Sequence, residues 1–175
     1  MVPEERKREG LFSDLPTTQN ITSTALERVS TFGFIKRRTE RNLAKEAGAR
    51  ALLPEDFLDR EVGQLSGGNQ QKAILARTSL TEVQVLLMFD PTRGIDPSAK
   101  LEVYGSLRKT SEDGAAVLLY STEIPELVGL CDRVIVLYAG KVAGEFQGDA
   151  IRDEPIMSAA VGHGGHDYDG RGVEA

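Results

Sequence analysis

The run Val83-Gln84-Val85-Leu86-Leu87-Met88-Phe89 is apolar on nearly every position of both alternations. A strand of that pattern is predicted to be buried on both faces of a parallel sheet, because crossover helices cover both sides of such a sheet. Ala115–Tyr120 is a second run of the same kind. Between them Asp96-Pro97 offers an N-cap followed by proline in the first helical position. Leu101, Tyr104 and Leu107 give the helix that follows an apolar stripe. Asp132–Tyr138 and Lys141–Phe146, joined at Ala139-Gly140, read as a hairpin. Helices alternating with apolar strands predict an α/β protein.

Upstream the expected structure is mostly helical over residues 12–60. Thr22–Phe32 is a short amphipathic stretch. Arg37–Leu53 is a longer one, with Leu43, Ala44, Ala47, Ala51 and Leu52 near helical spacing. Pro54-Glu55-Asp56 resembles a further helix start, and Lys36-Arg37-Arg38 a solvated basic face. Residues 1–11 are expected to form a charged loop. Ser121-Thr122-Glu123 is expected to cap a short helix with its hydroxyls.

Charge and composition narrow the function. The chain has 175 residues and a net charge of -6, and that balance disfavours a nucleic-acid partner, which needs a basic face. The single cysteine, Cys131, forms no internal disulfide and suits a reducing compartment. No apolar run is long enough to span a bilayer. His163 and His166, in a glycine-rich stretch without further ligands, do not predict a metal site.

Leu65-Ser66-Gly67-Gly68-Asn69-Gln70-Gln71-Lys72 is the stretch with the clearest chemistry. Ser66 is placed to cap the helix-forming run that follows, and Gly67 and Gly68 open its first turn. The start of a helix carries unpaired N–H groups and partial positive charge. Glycines there leave room for an anion, above all a phosphate, to approach. Asp90-Pro91-Thr92-Arg93-Gly94-Ile95-Asp96 follows the first strand and puts a carboxylate at its end, where nucleotide enzymes place metal or catalytic chemistry.

Together these runs resemble ATP-binding cassettes. The Asn-Gln-Gln-Lys ending and Pro-Thr-Arg-Gly-Ile-Asp are similar to the second cassette of bacterial monosaccharide importers of the ribose, galactose and xylose type, from Val2 to about Gly162. The resemblance implies the C-terminal portion of such a cassette: a Q-loop-proximal segment (1–11), a helical subdomain with the signature motif (12–80), part of the ATPase core (81–161) and a disordered tail (162–175). It implies that Leu65, Ser66, Gly67, Gly68, Asn69 and Gln70 are the signature, closing over ATP on a partner cassette. Gly94, Ile95 and Asp96 are the D-loop and Glu4 stands at the Q-loop position. Asp90 falls at the catalytic glutamate and Thr122 at the switch histidine, while Phe89 stands where the family carries the Walker B aspartate.

The phosphate loop, Gly-x-x-x-x-Gly-Lys-Ser/Thr, does not occur in these residues. In the family it lies upstream of the matching segment. The expectation is therefore a chain that does not hydrolyse ATP alone, with ATP and magnesium (Mg) held mainly by a partner cassette bearing Walker A. The implied partners are a transmembrane sugar permease and, indirectly, a sugar-binding protein. The implied location is cytoplasmic, peripheral on the membrane through the permease. The alternative is a regulatory or interaction remnant that docks without nucleotide chemistry.

Overall fold

The computed structural model describes residues 1–81 and 83–163. They fall into two compact units, one ending at Tyr120 and the other beginning at Ser121.

In the first unit three helices share a core: α1 (Thr17–Thr22), α3 (Arg37–Arg50) and α4 (Gly67–Thr78). Ile21, Ala44, Ala47, Leu58, Val62 and Ile74 are buried among them. Hydroxyls tie α1 to the chain that returns beside it. Thr17 Oγ1 donates to the Arg60 carbonyl at 3.0 Å and Thr18 Oγ1 to the Leu58 carbonyl at 2.8 Å. Glu40 is buried, and it is satisfied by Thr22 Oγ1 at 3.2 Å and Arg37 Nη1 at 3.1 Å. Both partners matter, since a buried carboxylate stripped of them costs several kcal/mol, ~3–5.

The expected helix over Thr22–Phe32 is a correction. Within it only Thr22, the last residue of α1, and α2 (Leu26–Val29) are helical. The chain then forms a hairpin of β1 (Ser30–Thr31) and β2 (Phe34–Ile35), paired Ser30 to Ile35 and Thr31 to Phe34. Phe32 and Gly33 make its two-residue turn with φ of 50° and 82°. Positive φ at both turn residues matches the twist of a hairpin, and Gly33 makes it accessible. α3 ends at Arg50, short of Leu53, and Leu52 points outward at φ 56°. Residues Glu55–Phe57 form a single 3-10 turn instead of a longer helix.

The sheet of this unit pairs β3 (Val85–Phe89) with β4 (Ala116–Tyr120) in parallel, from Val85–Ala116 to Phe89–Tyr120. α5 (Pro97–Glu112) connects them, with Val103 and Leu107 buried. Both strands were expected to be covered on both faces, and the structure differs. Leu86 and Met88 are buried, but Val85, Phe89, Leu118 and Tyr120 are exposed, Leu118 by 66%. An apolar pattern records what a strand tolerates, whereas burial needs a second layer. On the side of Leu118 and Tyr120, both more than half exposed, no second layer among the described residues seals the sheet.

The first residues are not a free loop. Val2 forms a parallel bridge to Met88: its N–H donates to the Leu87 carbonyl at 2.7 Å, and its carbonyl accepts from the Phe89 N–H at 3.1 Å. Arg6–Gly10 then turns as a short π-helical segment.

The second unit is a hairpin covered by helix. β5 (Arg133–Tyr138) and β6 (Lys141–Gln147) pair antiparallel around Ala139-Gly140, as expected, with an irregularity at Val136/Leu137. α7 (Asp153–Ala160) places Ile156 and Ala159 against Val134 and Val136, and Leu127 of α6 (Ile124–Leu130) flanks that core. The expected hydroxyl cap of α6 is not formed at the cap residue. Glu123 is the cap residue and makes no side-chain cap bond, while Ser121 Oγ accepts from the Glu123 N–H at 3.0 Å and donates to Glu126 at 2.7 Å. His166 and most of the 162–175 tail lie outside the described residues.

Candidate functional site

The start of α4 is built as the sequence implies, with one difference in what its glycines admit. Ser66 is extended, exposed, and caps the helix, its Oγ accepting from the Asn69 N–H at 3.4 Å and from Asn69 Nδ2 at 3.1 Å. Gln70 is buried beneath the preceding loop. Its Nε2 donates to the carbonyls of Val62, Gly63 and Leu65 at 3.1–3.4 Å, so Gln70 and the buried Leu65 shape the loop from below. A Cβ on Gly67 would come within 2.6 Å of the Arg6 guanidinium and 3.0 Å of the Gly94 carbonyl. A Cβ on Gly68 would meet Ala99 at 2.6 Å. The space these glycines leave is thus used by the chain itself, and Ser66 and the Arg6 edge are what the helix start presents outward.

The second component is the loop from Asp90 to Asp96. Asp90 is buried at φ 39°, an uncommon conformation for a residue with a side chain, and its N–H donates to the Tyr120 carbonyl at 2.9 Å. The Arg93 N–H donates to the Asp90 carbonyl at 3.1 Å, and the Ile95 N–H to that of Thr92 at 3.1 Å. Gly94, at φ 67°, reverses the chain. Asp96 then caps α5: its Oδ1 accepts from Ser98 Oγ at 2.6 Å and the Ala99 N–H at 3.0 Å. The Ser98 hydroxyl first, and the Ala99 N–H next, hold the Asp96 carboxyl below its usual range.

Residues 1–11 join these two components. Glu4 forms an ion pair with Arg93. Arg6 Nη1 donates to the Arg93 carbonyl at 2.9 Å while the rest of its guanidinium lies against Gly67. At the other end Arg77 Nη2 donates to the Gly10 carbonyl at 2.7 Å. Burial pushes both arginines below their ordinary range, without approaching loss of charge. Lys72, buried in α4, pairs with Glu102 of α5 and fixes the two helices side by side.

Ser66, Gly67 and Gly68 are therefore beside Gly94 and Ile95, and Glu4 reaches the same loop through Arg93. Thr122 belongs to the second unit, in the turn before α6. Arg6 and Arg93 were missed as site residues. The charge-rich run around Arg6 carried a weak signal, but nothing local ties it to residues 67 and 93.

The residues present fit the phosphate portion of a nucleotide better than its metal. A serine hydroxyl, a helix start and a guanidinium converge at Gly67, which suits an anion. At the end of β3 the Phe89 ring, 6.0 Å from that of Tyr120, offers no oxygen to magnesium.

Comparison with known proteins decides the family. No protein-family model matches the chain. It is 45% identical over 162 residues to ribose import ATP-binding protein RbsA 2 of Rubrobacter xylanophilus, covering 92% of this chain and 31% of that protein. It is 40% identical over 176 residues to ribose import ATP-binding protein RbsA 1 of Mesorhizobium japonicum, covering 100% of this chain and 34% of that protein. Among solved structures, the dimeric structure of MJ0796, a bacterial ABC transporter cassette, matches with a TM-score of 0.68 at 26% identity, over 84% of this chain and 61% of that one. The chain is part of an ATP-binding cassette. It spans about a third of the length of the curated relatives it matches. A further cassette, MJ1267, superimposes with a TM-score of 0.71 at 16% identity, which speaks to the fold alone. The cassette's α/β architecture accords with that likeness. Among the described residues no helix is long and apolar enough to cross a membrane.

Proposed function

We propose that this partial cassette belongs to the ATP-binding component of a sugar importer and supplies its signature and D-loop to an ATP site on a partner cassette. The observation that carries the reading is the junction of two segments. The Ser66–Gly68 helix start and the Gly94–Asp96 loop meet at Gly67, where the Gly94 carbonyl and the Arg6 guanidinium close in. One continuous surface made by a phosphate-seeking helix start and a reversed loop suits closure over a nucleotide that another chain or domain holds. The ribose-import names of the relatives support a sugar as cargo.

On this reading ATP and its magnesium are bound mainly by Walker A of the partner cassette. Ser66 and the N–H groups beside it meet the γ-phosphate, and Asp96 faces the opposing subunit. Phe89 gives the cassette no metal ligand at the strand end. Asp90 is one methylene shorter than the glutamate it replaces, so this chain's own site contributes little hydrolysis. Coupling runs to a transmembrane sugar permease fed by a sugar-binding protein, with the cassette at the cytoplasmic face of the membrane.

The test is Ser66→Arg in the complete transporter. An added guanidinium at the helix start blocks closure, so transport and ATPase activity are expected to fall together while assembly persists. Unchanged turnover overturns the reading. Photo-cross-linking then separates the alternative: an ATP analogue that labels Ser66 in the complex supports the half-site, whereas docking with no label supports an interaction module.

A further inference from the structure

The β1–β2 hairpin presents its apolar side chains away from the protein. Every residue from Thr31 to Thr39 is exposed. Phe32 is 97% exposed and Phe34 80%, while Ile35 is less than half exposed. Phe32 sits at positive φ in the turn, where glycine or asparagine is the ordinary choice and an aromatic residue is strained. Two solvated phenylalanines flanking a glycine at the tip of a two-residue-strand hairpin contribute little to the core.

The charges around this tip are one-sided. Between Leu26 and Thr39 the basic residues are Arg28, Lys36, Arg37 and Arg38, and the single acidic one is Glu27. Arg28 donates to the Leu80 carbonyl and Arg37 pairs with Glu40. Lys36 and Arg38 have no ion pair among the described residues. The whole chain carries a net charge of -6, so this basic collar is a local inversion and gives the molecule an orientation in a negative field.

We infer that the Phe32-Gly33-Phe34 tip and its Lys36–Arg38 collar form a contact site for an anionic phospholipid surface. Aromatic rings at a hairpin tip enter the headgroup region, and the adjacent cations meet lipid phosphates. The charge complementarity selects this occupant. An apolar protein groove would accept the two rings but has no use for the collar. The inference stands apart from the sugar-import reading, since it uses none of the signature or D-loop residues.

The chain contains no tryptophan, which makes a site-specific reporter available. Phe32→Trp in the full chain is expected to show a blue-shifted, enhanced emission on adding vesicles that contain phosphatidylglycerol. No change is expected with phosphatidylcholine alone, and the shift should reverse in high salt. Phe12→Trp, at another exposed ring outside the hairpin, is expected not to respond. Lys36→Glu with Arg38→Glu should weaken vesicle binding about tenfold or more, and Phe32→Ser with Phe34→Ser should abolish flotation with the same vesicles. These surface variants should leave the circular dichroism unchanged. The proposal is overturned by no shift on anionic vesicles, by an equal response at Phe12→Trp, or by binding that survives loss of both phenylalanines. A shift that appears only when the vesicles carry a membrane protein overturns it too, and reassigns the tip to a protein partner.

Discussion

Gly68 and Ala99 mark the point where α4 and α5 touch, for a Cβ on Gly68 would lie 2.6 Å from the Cβ of Ala99. Two carbon atoms cannot share that separation, so the second glycine of the signature is required by helix packing before any ligand is considered. The contact also fixes the distance between the Ser66 helix start and the Asp96 cap, the two ends that carry the proposed surface.

Gly68→Ala is therefore expected to destabilise the fold by about 1–3 kcal/mol, the usual range for overpacking a tight site. Pairing it with Ala99→Gly removes the opposing methyl and should recover part of the loss. Chemical denaturation of the single and double variants checks this, and equal losses in both would show that the methyl contact is not the cause.

Gln70 should be equally intolerant for a polar reason. Gln70→Leu keeps much of the volume but strips the donor from the Val62, Gly63 and Leu65 carbonyls. The expected cost is about 1–3 kcal/mol for leaving buried acceptors unmet. Hydrogen exchange around residues 62–66 should accelerate, and a variant with wild-type stability and exchange would remove Gln70 from this role.

The α4 cap and the α5 cap were both legible in the sequence, because Ser66-Gly67-Gly68 and Asp96-Pro97 are local signals whose partners lie within three residues. The β5–β6 hairpin was legible too, from two apolar runs around Ala139-Gly140. The β1–β2 hairpin was not: two residues per strand are too short to show an alternation, and Phe32 is a poor announcement of a left-handed turn. The bridge from Val2 to Met88 and the Arg6 contacts at Gly67 and Arg93 join residues more than sixty positions apart, and no local pattern encodes them. Exposure of the Leu118 face was invisible for the same reason, since burial depends on what packs above a strand.

Asp96 gives a pH dependence with a definite sign. Its folded carboxyl titrates below its ordinary value through the Ser98 and Ala99 bonds, so its contribution is present above the unfolded pKa and is lost as pH falls through the folded one. Asp96→Asn retains a competent cap but removes the titration. Melting temperatures of the two proteins should converge in acid and separate, wild type higher, toward neutral pH. A constant difference at all pH values would assign the effect elsewhere.

Cys131 should be a slow thiol. Partial burial, and then the negative charges of Asp132 and Glu126, push its pKa up, which lowers the thiolate population that reacts. Alkylation at neutral pH is expected to lag behind a free cysteine peptide and to accelerate in alkali. Asp132→Asn should speed it only slightly, because burial is the larger cause. Peptide-like rates at neutral pH would contradict this.

The parallel bridge between Val2 and Met88 has a kinetic meaning. It closes a loop that holds α1 to α4 and most of β3 but not α5 or β4, and the entropy of such a closure is recovered only when both ends are already in place. Helices α1, α3 and α4 meet through much shorter separations and can collapse first. The opening residues are then expected to act as a late latch, with Glu4 and Arg6 reaching Arg93 and Gly67 after the strand has been made. During synthesis residues 2–6 emerge well before Met88 and Arg93, the places they bind.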